Sequence, residues 1–255
     1  MTLRPTHVLA AAVALATSGV AMANTNLDAG LTGDVFINVV DTTNNTSFLF
    51  DTSTSQASFN PGVTQSFNFS GDANYTAFAA GEGTSDVLTY SILSATNNGT
   101  TGTVLFTSNA GPVATIGNNI ANVTATIGGF FTQANLVTSS TTTSALLGSA
   151  TTWGQVAYEQ TVATNLGIPY TSPGSGVDAI VGASDTLAFW DETTTHLTSA
   201  SKPAILSTLA GTWTYAAGVA TYTVTSAVPL PTPVLLLLSG LGLMGVVARR
   251  KKIEA

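Results

Sequence analysis

GDVFINVVDTTNNTSFLFD, residues 33–51, decides how the rest of this 255-residue chain is read. In the extended run GDVFINVV, Val35, Ile37 and Val39 face one side while Phe36, Asn38 and Val40 face the other. DTTNN (41–45) is turn chemistry, and SFLFD (47–51) supplies a second apolar run, so the stretch predicts an opening β-hairpin. β-branched and aromatic residues free of proline favour a pleated strand over a helix here.

The same pattern recurs outward along the chain. VTQSFNFS (63–70) alternates, with Val63, Gln65, Phe67 and Phe69 on one face. Asp72 is placed to cap a short helix running to Ala80. DVLTYSILSAT (86–96) and TVLFTS (103–108) flank Asn97-Asn98-Gly99, a second hairpin. Ile120, Val123, Ile127, Phe130, Phe131 and Ala134 recur at helical spacing, predicting a helix over 118–137. Strands are expected over 151–161 and 186–191, with SPGSG (172–176) as a loop. TWTYAAGVATYTV (212–224) reads as a terminal hairpin turning at Ala217-Gly218. Many short strands with one or two helices predict a mainly β, sandwich-like domain with helical decoration.

Composition narrows the function classes. The chain is 44% hydrophobic and only 7% charged, so Thr, Ser and Asn must solvate its surface in place of ions. That hydrophobic fraction is too high for a disordered chain. Between Asn24 and Ala227 lie twelve acidic residues and a single basic one, Lys202. Such a body lacks the clustered Lys and Arg that nucleic acid requires, which leaves divalent cations or neutral partners such as glycans. The absence of cysteine excludes disulfides, thiolate metal sites and a cysteine nucleophile.

The two ends carry processing chemistry. MTLRPTH is followed by an apolar run and then by Ala21 and Ala23 around Met22, the three-part order of a secretory signal peptide cut after Ala23. At the other end Val228-Pro229-Leu230-Pro231 precedes an apolar run over 234–248 and the basic residues Arg249, Arg250, Lys251 and Lys252. As a helix that run spans about 22 Å, short of a ~30 Å hydrocarbon core. The basic cluster would stay cytoplasmic, leaving the body outside. Gly240, Gly242 and Gly245 spell GxGxxG, but neither the flanking elements nor the later acidic residue of a dinucleotide site accompany them. A plain single-pass anchor would fit the same segment.

Proline motif, short apolar run and Arg249-Arg250 together resemble the PEP-CTERM protein-sorting signal in its VPLPA variant, with Thr232 where that variant usually has alanine. The resemblance covers about 28 residues. It implies recognition by an exosortase-type membrane protease in a Gram-negative bacterium, with cleavage near the prolines. Passage through signal peptidase and the inner membrane to the envelope, cell surface or extracellular matrix would precede any association with biofilm exopolysaccharide. The expected division is a signal helix over 1–23, a β-rich extracellular domain over 24–227, and a sorting segment with its transmembrane helix over 228–255.

No catalytic constellation stands out in the body, so a non-enzymatic role is expected, with a secreted glycan-binding module or hydrolase as the alternative. His196 in DETTTHLTS could pair with Asp191 or Glu192, but no GxSxG elbow selects a serine. Glu82, Glu159, Asp185, Asp191 and Glu192 could supply paired carboxylates, yet nothing selects a pair. Calcium is conceivable for an acidic exported β-domain, although no DxDxDG loop is present and no cofactor is expected. Trp153, Trp190 and Trp213 could form an aromatic glycan platform or lie in the core. Sequons fall at Asn44, Asn45, Asn68, Asn74, Asn98 and Asn122.

Overall fold

A computed structural model describes residues 33–137, 143–148, 156–182 and 186–225. The predicted signal helix over 1–23 and the predicted transmembrane helix over 234–248 both lie outside these residues. The described residues up to Thr223 form one compact unit; from Val224 onward only Val224 and Thr225 are among those described.

The strands are β1 (Asp34–Asp41), β2 (Thr46–Ser55), β3 (Gln65–Asn68), β4 (Leu88–Asn97), β5 (Gly102–Ser108), β6 (Ser144–Leu147), β7 (Ala179–Ile180), β8 (Leu187–Thr194), β9 (Ile205–Ala216) and β10 (Val219–Val224). Three helices accompany them: α1 (Ala73–Ala80), α2 (Gly117–Val137) and α3 (Val156–Asn165). The strands join one antiparallel sheet in the order β3-β10-β9-β8-β5-β4-β1-β2-β6, with β7 on β4. That sheet curls into a half-barrel.

The mainly β expectation stands, and the sandwich gives way to this single curled sheet. Two bulges help it bend, one at Asp34/Phe36 opposite β2 and one at Ala188/Trp190 opposite β9. Large rings then fill the concave side. Phe48, Phe69, Tyr90, Phe189, Trp213 and Tyr222 are all almost wholly buried there, each worth about 1.5–3 kcal/mol relative to exposure. After β2 the chain crosses to the opposite edge before forming β3, and Phe59 from this crossing packs against Phe189, Trp213 and Tyr222.

On the convex side α2 and α3 cover the sheet. Ile120, Val123, Ile127 and Phe130 pack with Phe36, Leu93, Val104 and Phe106, and α3 contributes Val162 and Ala163. With both faces covered, all eight residues of β1 are buried. This explains why GDVFINVV is apolar on both sides instead of alternating cleanly. The side chains of Phe131 and Ala134, predicted on the same helical face, are not among those described.

The strand predicted over 151–161 is corrected: within the described residues, 156–165 form α3. Glu159, Val162, Ala163 and Leu166 recur at three to four residues and are all fully buried, a helical face that the aromatic and β-branched residues around it obscure. Three helices therefore replace the predicted one or two among the described residues. The terminal hairpin turns where predicted, through Ala217 (φ 47) and Gly218 (φ 78), both left-handed as a two-residue hairpin turn requires. β9 starts seven residues earlier than the aromatic run that announced it.

α1 ties the β6 edge of the sheet to β9, the third strand in from the opposite edge. Asp72 caps it by accepting from the Asn74 and Tyr75 backbone N–H groups at 2.8 and 3.0 Å. The same carboxylate accepts the Ser144 hydroxyl from β6 at 2.8–2.9 Å. Tyr75 meets Tyr215 of β9 through their hydroxyls at 3.0 Å.

Candidate functional site

Two polar assemblies stand out, one open and one closed. The open one lies on the concave side of β4, β5 and β8. Register places Thr96 opposite Thr103 and Thr103 opposite Thr193, so three hydroxyls line up across three strands. Ser55, Gln56 and Ala57 wall one side, and Asp191 projects from β8 two residues before Thr193, giving a groove of about 410 Å³.

Its hydrogen bonds form a directed chain. The Thr193 hydroxyl donates to Asp191 at 3.0 Å, which leaves the Thr103 hydroxyl, also at 3.0 Å, to donate to Thr193. Gln56 accepts the Thr96 hydroxyl at 3.2 Å and donates to the Thr103 carbonyl at 3.3 Å. Burial raises the Asp191 carboxyl above its ordinary range, partly offset by the Thr193 hydroxyl. The groove thus presents neutral donors and acceptors and a single carboxyl. Glycosidic cleavage by the usual route needs a second carboxyl across the bond.

The closed assembly lies beneath α3. Glu159 of α3 and Asp178 of the loop before β7 are both 0% exposed. The Ser91 hydroxyl of β4 donates to Glu159 Oε1 at 3.1 Å, and Glu159 Oε2 accepts no hydrogen bond. Asp178 accepts the Gly174 N–H at 2.7 Å and the Gly176 N–H at 3.3 Å. Burial, followed by the negative charge of Asp178, holds the Glu159 carboxyl well above the ordinary carboxylate range. Burial also raises Asp178, against the two glycine N–H groups. The same two carboxyls, added to its own burial, push the Tyr170 phenol up.

The other predicted residues do not join these assemblies. Asp191 and Glu192 are neighbours in sequence on opposite faces of β8. Glu192 is buried on the convex side, accepting the backbone N–H and hydroxyl of Thr115 at 2.5 and 2.9 Å. His196 is exposed on the following loop, its own backbone N–H bonded to the Thr194 hydroxyl. Glu82 is near Asp41 and Asp86 at the end of α1, raised by burial and by those two charges. Asp185 and Trp153 lie outside the described residues. Trp213 is core, and Trp190 is half-buried against the convex cluster, so these two rings form no open platform. The amides of Asn44 and Asn74 are engaged in structural bonds, to Asp41 and Asp86 and to Ser144 respectively.

Among the described residues no group of three or more His, Asp or Glu side chains converges to hold a metal ion. Nor is any helix among them long and apolar enough to cross a membrane. Ala21, Ala23, Val228, Pro229, Leu230, Pro231, Arg249 and Arg250 all lie outside the described residues.

Glu159 is among the candidate carboxyls of the sequence, whereas Asp178, its buried neighbour, is not. The available signal was GSGVD (174–178), where two glycines precede a carboxylate able to accept from their backbone N–H groups. The groove had no local signal, because three strands and a loop distant in sequence build it. Comparison with known proteins gives no match to a family model, to a curated protein or to a solved structure.

Proposed function

We propose that this chain is an exported, non-enzymatic surface or matrix protein whose C-terminal segment is an exosortase-type sorting signal. The observation that carries this reading is the order Val228-Pro229-Leu230-Pro231, apolar run, Arg249-Arg250, placed directly after the body. β10 ends at Val224, four positions before Val228, so a protease acting at the prolines would not have to dismantle the sheet. Signal peptidase would act after Ala23, and the membrane would hold the sorting segment until the second cut. Extracellular polysaccharide is the partner class consistent with an uncharged, hydroxyl-rich surface; nucleic acid is not, given Lys202 alone in the body.

Mass spectrometry of the native protein tests the sorting reading. The expected mature species starts at Asn24 and ends near Val228–Thr232. Intact protein through Ala255 in the outer envelope would remove the sorting reading and leave a simple anchor.

The groove favours a second reading, a glycan-binding module without hydrolytic activity. A row of hydroxyls beside one amide and one carboxyl suits a neutral polyhydroxylated ligand. T193V and Q56A should each weaken retention on a polysaccharide affinity gel by about fivefold or more, given ~1 kcal/mol for each lost polar contact. Equal retention of both variants and the wild type would exclude the groove as the binding site.

A further inference from the structure

We propose that Glu159 and Asp178 hold a single proton between them, and that this shared proton latches α3 and the 172–180 segment to the convex face of the sheet, loosening them as pH rises. The geometry of donors assigns the proton. Asp178 receives two backbone N–H groups, from Gly174 and Gly176, and is equipped to stay an anion. Glu159 receives the Ser91 hydroxyl on Oε1 and faces the neutral Asn38 amide, side-chain donors only, while Oε2 makes no close hydrogen bond. Protonated on Oε2, Glu159 becomes a donor to the Asp178 carboxylate, and every strong polar demand of the pair is met.

No positive charge among the described residues offers a different solution. β1 and β4 present neutral Asn38 and Ser91 toward Glu159, and the 166–178 loop presents Tyr170 and Asp178. Lys202 is the sole described Lys or Arg, in the loop that receives the start of α2, where its carbonyl accepts the Gly117 N–H. His196 is exposed in that same loop. Two buried carboxylates without a counter-ion repel each other in a medium that screens poorly, so one of them keeps its proton.

The elements on either side of the proton give it mechanical meaning. Glu159 belongs to α3, whose Val162 and Ala163 cover the convex core. Asp178 precedes β7, which pairs with β4 through Thr89 and Tyr90. Ionising Glu159 places two anions between helix, loop and sheet, and separating them is the relief available.

The sign follows from linkage. An unfolded glutamate titrates near 4.3, and the folded carboxyl titrates well above the ordinary range. The folded form therefore binds the extra proton between these values, and its advantage is complete below the unfolded value and lost as pH rises through the folded one.

Hydrogen–deuterium exchange on the full-length chain, in mild detergent with chelator present, tests this. Corrected for intrinsic rates, amides of 159–180 should lose at least tenfold protection between pH 5 and pH 9, while β1 amides do not. E159Q, whose amide donates to Asp178 without titrating, should keep its protection across the range. D178N removes the repelling charge and should move the midpoint to lower pH. Protection of 159–180 that is independent of pH in the wild type, an E159Q profile that follows the wild type, or an unmoved D178N midpoint would each overturn the latch. So would recovery of protection at pH 9 on adding calcium or magnesium without chelator, which would assign the pair to a cation instead.

Discussion

Trp213→Ala lowers the stability of the body by about 3–5 kcal/mol, the cost of truncating a fully buried large aromatic side chain. The ring is 0% exposed. Its centroid lies 5.4–6.1 Å from those of Tyr222, Phe189, Phe67 and Phe59. Those four rings come from β10, β8, β3 and the segment that crosses the concave side, so one truncation loosens four separate parts of the chain. Each aromatic pair contributes about 0.5–1.5 kcal/mol beyond its buried area, which places the result toward the upper end of the range. The Trp213 carbonyl, which accepts the Tyr90 hydroxyl at 3.1 Å, survives the substitution, so the effect reports the ring itself.

Urea unfolding followed by far-UV circular dichroism provides the measurement, with Trp190→Ala as the internal comparison. Trp190 is only partly buried against the convex cluster and should cost about half as much or less. Trp213→Phe should also be milder than alanine: it keeps most of the ring and removes an indole N–H that has no acceptor in the core. Equal losses for Trp213→Ala and Trp190→Ala would mean that the concave aromatic cluster is not the main support of the half-barrel.

The features legible in the sequence are the local ones. DTTNN, NNG and Ala217-Gly218 each mark a hairpin because a turn's chemistry is contained in two to five residues. Asp72 announced α1 for the same reason, its carboxylate reaching N–H groups only two and three positions away. The single sheet was not legible, because β3 and β6 take opposite edges and no local pattern records that placement. α3 was misread because Val156, Tyr158 and Thr161 favour strands individually, while the deciding contacts, Glu159 against Ser91 and Val162 in the convex core, are long-range. β6 is only four residues long and directly follows a Ser/Thr run, so no alternating pattern marks it. The groove shows the same limit: Thr96, Thr103 and Thr193 are ordinary strand residues until register aligns them. Asp178 gains its importance only from a helix that begins more than twenty residues earlier.

Gly117→Ala is the substitution on which local and tertiary reasoning disagree in sign. Gly117 is the first residue of α2, and alanine is favoured over glycine in a helix by up to about 1 kcal/mol. Propensity alone therefore predicts a gain. The tertiary geometry predicts a loss, because a Cβ at position 117 would overlap the backbone carbonyl of His196 and press on the Thr194 hydroxyl. That carbonyl is backbone and cannot rotate aside; it also accepts the Ser199 N–H at 2.9 Å. Making room moves the helix start away from the 196–204 loop, where the Gly117 N–H donates to Lys202 at 3.1 Å and the Asn118 N–H to Ser199 at 3.0 Å. Overpacking costs about 1–3 kcal/mol and each weakened bond about 1 kcal/mol. The net expectation is a loss of about 3 kcal/mol, which for a body of this size lowers Tm by roughly 6–12 °C. Thermal unfolding of the variant beside the wild type gives the answer. A Tm at or above the wild-type value would show that the loop yields to the new methyl group and that the close approach of α2 to the His196 carbonyl is not a fixed feature of the fold.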